Sequence, residues 1–182
     1  LIAMAMSLIA MLQLLEGFNF DIALIQNQRT ERHHFDTAWT INMLLGGTSA
    51  LVLFLLAGPV ADFYSEPRLT AVVEILSVGP LLVGFRNIGV VAFRKDLDFN
   101  KEFRFLVCRK FIAVAVTLTV AIVWRSYWAL VAGTLVGQSL ETILSYVFHP
   151  YRPRLSLAAR RELFRFSAWV YLTNLFYTAR MR

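Results

Sequence analysis

Long apolar runs dominate this chain, without the alternating or 3.6-residue polar spacing that marks a half-buried strand or surface helix. Crossing about 30 Å of hydrocarbon takes about 20 apolar residues as a helix. Residues 1–25 begin such a span, with only Ser7 and Gln13 interrupting the run to Leu15. Residues 37–61 carry no charge, and residues 69–93 carry only Glu74 and Arg86. The uncharged run 111–124 is short for a span, so it is extended back to residue 105, with Arg109 and Lys110 snorkelling to the interface. Residues 126–149 hold a single formal charge, Glu141, and residues 166–182 begin a further span. Buried helices of a soluble protein would show a polar face, which these mostly lack. The expected fold is an all-α integral membrane protein, a polytopic transmembrane helix bundle. Residues 1–150 form the bundle, 151–165 a cytoplasmic amphipathic linker, and 166–182 the start of another span.

The loops test this assignment independently, because cytoplasmic loops hold an excess of Lys and Arg. The five successive connections carry two, one, six, one and five such residues, thirteen on one side of the membrane against two on the other. The thirteen-charge side is therefore expected in the cytoplasm, which places Leu1 at the outer face. An apolar run is already under way at Leu1, without the basic lead of a signal peptide, so both ends read as cuts in a longer polypeptide. Trp124, Tyr127 and Trp128 bracket the short outer loop, and Trp39, Phe148 and Tyr151 lie at inner boundaries, where amphipathic rings favour the headgroups. Residues 93–105 and 155–166 interleave apolar and charged positions and are expected to lie as interfacial helices on an anionic leaflet.

Composition agrees: 58% of the 182 residues are apolar, above the roughly 45–50% of a soluble domain. The net charge of +6 is explained by topology, so a nucleic-acid partner is not expected. The single cysteine, Cys108, excludes an internal disulfide framework. No phosphate-binding glycine loop, nucleophile elbow or metal-spaced cluster occurs, and adjacent His33 and His34 in a short polar loop suit solvent better than one metal. Neither an enzyme nor a resident cofactor is expected.

The informative residues are polar groups at membrane depth, where an ionisable side chain costs about 2.5–3.5 kcal/mol and normally faces protein or a water-filled cavity. Arg86 lies about two turns inside the cytoplasmic boundary of its span; it is either an anion-binding cation in a central cavity, or an interfacial anchor or partner for Asp21. Glu141 lies deeper, with Gln138 one turn away on the same face. Asp21 and Glu16 fall near the inner end of the first span, and Glu74 toward the outer end of the third. Small residues recur every four positions at Ala129, Gly133, Gly137 and Ser145, with Glu141 among them, and at Ala38, Gly46 and Ala50, with Asn42 among them. Such stripes let helices approach closely, while Glu141 and Asn42 remain open to a cavity-facing role. Gly79 and Pro80 fall mid-span and are expected to kink the helix between Glu74 and Arg86.

Several stretches carry a family resemblance. Ala23-Leu-Ile-Gln26, Ala38-Trp-Thr-Ile-Asn42, Arg94-Lys-Asp-Leu-Asp-Phe99, Ser126-Tyr-Trp-Ala-Leu-Val-Ala-Gly133 and Tyr151-Arg-Pro-Arg-Leu-Ser156 resemble the Wzx-type polysaccharide flippases of the multidrug/oligosaccharidyl-lipid/polysaccharide exporter superfamily, closest to the lipopolysaccharide or colanic-acid branch. The resemblance implies a two-lobed exporter, of which this chain would be spans two to six and the start of seven. It implies the bacterial inner membrane, membrane lipids and a lipid-linked (undecaprenyl-pyrophosphate) oligosaccharide as partners, other polysaccharide assembly proteins beside them, and transfer to the outer leaflet by alternating access. Arg86, Asn42, Gln138 and Glu141 are then the substrate or cavity candidates. A cation-coupled multidrug-type exporter is the nearest alternative and would need a carboxylate for its ion, Asp21 or Glu141. A membrane-embedded polymerase would need a large outer loop, which this stretch lacks.

Overall fold

The computed structural model describes residues 24, 31–95, 99–124, 128–161 and 163. The first expected span apart from Leu24, with Asp21 and Glu16 in it, and residues 166–182 lie outside them. Among the described residues all regular structure is helical: α1 (Arg32–Phe63), α2 (Arg68–Leu76), α3 (Val78–Gly84), a 3-10 turn (Ile88–Val90), α4 (Val91–Lys95), α5 (Phe99–Trp124) and α6 (Trp128–Phe148). Helices α1, α5 and α6 are each long and apolar enough to cross a membrane, and α2–α3 with Ile88–Lys95 make a further crossing if taken as one bent span. The chain is an all-α polytopic membrane protein.

Helix α1 starts before the apolar run at residue 37 because its polar lead is capped. The Glu31 side chain accepts from the backbone of His34, and His34 Nδ1 accepts from Glu31 N at 3.1 Å, a reciprocal pair that satisfies two terminal donors. His33 and His34 are therefore in the first turn of a helix, not in a loop, and His34 is buried. At its other end α1 closes with Ser65 at φ 52°, Ser65 N donating to Asp62 O and Glu66 N to Ala61 O. These two bonds take up carbonyls the helix end would leave unpaired, and they turn the chain directly into α2.

The third expected span differs from expectation in where it bends. Pro80 cannot donate to the Leu76 carbonyl, and the helix is interrupted there at Ser77. The sharp bend, 59°, falls instead between Gly84 and Ile88. Arg86 thus sits at the break rather than beyond it. Two further expectations are corrected at the basic end. Residues 99–105 are the opening turns of α5, continuous with it, rather than part of a separate interfacial helix. Residues 151–157 are irregular rather than helical, and the described residues after Ala159, at 160, 161 and 163, are helical.

Packing follows the small-residue stripes. A Cβ on Gly84 would lie 2.8 Å from the Asn42 carbonyl and 3.3 Å from Gly46 Cα, so α1 and α3 touch backbone to backbone. A Cβ on Gly133 would lie 2.9 Å from Thr117, which brings α6 against α5. One apolar cluster joins Leu53, Ala57 and Ala61 of α1 to Leu69, Val72, Val73 and Leu76 of α2 and to Val131 of α6. A second, at the basic end, gathers Ala38 and Ile41 with Leu24, Ile88, Val91, Ala159 and Leu163. The outward faces are apolar too: Leu55, Phe111, Ile122 and Val147 are all at least 65% exposed, which water would penalise and lipid does not.

Candidate substrate site at a helix break

A break in a membrane helix frees backbone groups that lipid cannot satisfy, and here neighbouring side chains take them up. The Phe85 carbonyl accepts from Tyr146 Oη at 3.0 Å and from Trp39 Nε1 at 3.4 Å. The Leu82 carbonyl accepts from Thr142 Oγ1 at 2.7 Å, and Asn87 N donates to Ser145 Oγ at 2.9 Å. Asn87, fully buried, turns its amide both ways: Oδ1 accepts from Gly89 N at 2.9 Å and Nδ2 donates to the Tyr151 carbonyl at 2.7 Å. The supporting groups on α6 fall at 142, 145 and 146, one helical face, and Glu141 is on it.

Glu141 is held between two cations. Its Oε1 lies 3.1 Å from Arg86 Nη1 and 2.5 Å from Arg109 Nη1, with the three side chains 19%, 25% and 30% exposed respectively. Arg109, expected only as an interfacial anchor, thus reaches from α5 to Glu141 of α6. Beside this group a crevice of about 90 Å³ is lined by Arg86, Arg94, Glu102, Phe105, Leu106 and Arg109 among others. Arg94 Nε and Glu102 Oε1 pair across it at 2.5 Å. Three guanidinium groups against two carboxylates leave the cluster with a formal charge of +1. Chemically it can receive an anion, because arginine forks match phosphate and carboxylate oxygens.

Of the residues singled out in the sequence, the structure brings Arg86 and Glu141 together and leaves the other two apart from them. Gln138 lies against Gly79, whose Cβ would sit 2.6 Å from Gln138 Oε1, and that buried oxygen has no hydrogen-bond partner. Asn42 packs at the α1–α3 contact through its carbonyl. Neither lines the crevice. Asp21 lies outside the described residues, and Arg86 pairs with Glu141. Glu74 is on α2, where its carbonyl accepts from Ser77 Oγ at 2.6 Å. Sequence reasoning missed Arg109, Arg94 and Asn87 as members of the site. The available signal was Asn87 itself, an amide beside a mid-span arginine.

The comparisons with known proteins agree with this architecture. A family model described as polysaccharide biosynthesis protein matches residues 1–181. The lipopolysaccharide biosynthesis protein WzxC of Escherichia coli K12 is 26% identical over 178 residues, covering 93% of this chain and 35% of that protein. The succinoglycan biosynthesis transport protein ExoT of Rhizobium meliloti is 23% identical over 165 residues, covering 89% of this chain and 33% of that protein. The chain thus spans about a third of the length of the curated relatives it matches. No solved structure matches. The resemblance to polysaccharide exporters read from the short motifs holds across nearly the whole chain, and the chain belongs to the polysaccharide biosynthesis protein family.

Proposed function

We propose that this chain is part of a flippase that moves a lipid-linked oligosaccharide, carried on an undecaprenyl-pyrophosphate-type anchor, from the inner to the outer leaflet of a bacterial inner membrane by alternating access. The thirteen-charge side then faces the cytoplasm. The observation that carries the reading is the position of Arg86: a cation at a break in a bent span, paired with Glu141, which Arg109 also meets, beside a net-positive crevice. Discontinuous helices are where transporters build substrate sites, since freed backbone and buried charge are tolerated only inside protein or beside a water-filled cavity. The carrier's phosphate would meet the arginines, and the relatives' names place them in lipopolysaccharide biosynthesis and succinoglycan transport. The cation-coupled alternative draws less support, because Glu141 sits between two guanidinium groups and so makes a poor cation ligand.

The test is charge reversal in the complete protein. Arg86→Glu places a carboxylate beside Glu141 and is expected to abolish surface polysaccharide export while the protein still inserts in the membrane. Unchanged surface polysaccharide with this variant would remove Arg86 from the mechanism.

A further inference from the structure

Among the described residues, the Tyr151-Arg-Pro-Arg-Leu-Ser156 stretch is a motif that neither the helices nor the arginine cluster absorbs. It leaves α6 as irregular chain and lies along the first turns of α1. There α1 presents a strip made of acceptors. Thr37 Oγ1 spends its proton on the His33 carbonyl at 2.7 Å, and Thr40 Oγ1 on the Asp36 carbonyl at 2.8 Å. The outward lone pairs of both hydroxyls are therefore left to accept, next to the Asp36 carboxylate. All three residues are buried. The strap supplies matching donors. Tyr151 Oη donates to Asp36 Oδ1 at 2.6 Å, Arg154 N to the same oxygen at 2.8 Å, Ser156 N to Thr40 Oγ1 at 3.0 Å, and Ala159 N to Thr37 Oγ1 at 3.2 Å. The first two amides alternate as on a strand edge. Pro153 favours the extended form before it and has no N–H of its own to satisfy.

The same strap is tied to the helix break. The Tyr151 carbonyl accepts from Asn87 Nδ2, and Asn87 is the neighbour of Arg86. Arg152 Nη1 meanwhile donates to the carbonyls of Tyr146 and His149, closing the C-terminal end of α6. Through Tyr151 the inner ends of α1, the broken span and α6 thus meet in one hydrogen-bonded junction. Its hydrogen bonds to the α1 strip run from strap donors to side-chain oxygens, which water can replace when both sides become solvated. Tyr151 and Ala159 also join the apolar cluster of Ala38 and Ile41, with the Tyr151 ring against Phe35.

We infer that residues 151–159 form a latch. Docked on the Asp36, Thr37 and Thr40 strip, they hold α1 and the Arg86 break in the conformation seen, and they release the strip during transport. This rests on the alternating-access reading above, and it assigns the moving contact to named atoms. Tyr151, Asn87 and Asp36 are positioning residues for Arg86 and do not touch the cargo.

The test is a reversible lock in the complete protein, with Cys108 changed to Ser. Thr40→Cys with Ser156→Cys uses the contact of the Ser156 backbone N with Thr40 Oγ1 at 3.0 Å, where covalent geometry keeps the two Cα atoms within about 7 Å, inside disulfide range. Thr37→Cys with Ala159→Cys is a second, independent pair. Under oxidant each pair is expected to form an intramolecular disulfide, to lower polysaccharide export by about tenfold or more, and to regain export on reduction. Crosslinked protein that still exports at the reduced rate would show a fixed strap and overturn the latch. Failure of both pairs to crosslink would overturn the docking itself. Normal polysaccharide export in cells lacking the protein altogether would instead sink the flippase reading.

Discussion

Arg86 Nη1 lies 3.1 Å from Glu141 Oε1 although 55 residues separate them in the chain. The contact joins the break in the third span to the polar face of α6, and Arg109 joins the same oxygen from α5. Removing the charge of Glu141 leaves two guanidinium groups facing each other in a largely buried site. Glu141→Gln is expected to cost about 1–3 kcal/mol of stability, since an unmatched charge keeps its desolvation cost. Thermal unfolding in detergent measures this. The swap of Arg86→Glu with Glu141→Arg should not restore the wild type, because Arg109 then faces a second arginine. A swapped protein with wild-type stability would contradict the three-residue arrangement.

Backbone contact between α1 and α3 predicts opposite outcomes at two glycines of one helix. A Cβ on Gly46 would lie 2.4 Å from the Pro80 carbonyl, a backbone atom that cannot step aside. Gly46→Ala should therefore destabilise by about 1–3 kcal/mol, the usual cost of overpacking. Gly58 has nothing within 4 Å of its added Cβ, so Gly58→Ala should be neutral or stabilising by about 0.5–1 kcal/mol through helix propensity. Paired melting curves of the two variants check the contrast.

Tyr151 makes the junction sensitive to alkali. Burial, followed by the hydrogen bond to Asp36, pushes its phenol well above the ordinary tyrosine value of 10.0. A folded-state value raised in this way gives stability that is complete below the unfolded value and is lost as pH rises toward the folded one. Unfolding followed between pH 9 and 12, roughly the window around a free phenol, should show stability falling above about 10. Tyr151→Phe should flatten that fall and lower neutral-pH stability, because Asp36 loses a donor. An identical alkaline profile in the variant would contradict this role.

Asn87 is expected to be among the least replaceable side chains of the bundle. It is fully exhausted by Gly89 N, the Tyr151 carbonyl and its own amide to Ser145 Oγ. Asn87→Ala should cost about 1–3 kcal/mol by orphaning the buried Gly89 N–H and taking one of two donors from the Tyr151 carbonyl, which keeps Arg152. Asn87→Asp keeps the acceptor but turns the lost donor into a buried carboxylate facing the Tyr151 carbonyl, so it should be no more stable than Asn87→Ala at neutral pH. Equal stability of all three proteins, measured by unfolding in detergent, would show that the break is held by packing alone.

The apolar runs and small-residue stripes made the helices legible, because a membrane span must satisfy its backbone locally and carry an apolar surface over its length. The α1–α3 contact was legible for a related reason: Gly46 at a four-residue spacing from Asn42 announces a face without bulk. The bend was misplaced because Pro80 removes one donor, whereas the sharp break at residues 85–87 depends on acceptors and donors from Trp39, Thr142, Ser145 and Tyr146. Arg109 looked like an interfacial anchor for the same reason. Its role is set by Glu141 on another helix, and no local spacing encodes that.

By itself, then, the sequence determined the solvent and the element type: an all-helical bundle in a membrane, with a rare arginine placed inside it. Tertiary structure alone decided that this arginine sits at a helix break, that Glu141 and Arg109 meet it, and that the 151–159 strap docks on α1. Helices form from bonds four residues apart, which sequence periodicity records. Ion pairs and strap contacts join groups 32 to 122 residues apart, and those are fixed only when the packed helices bring their polar faces together.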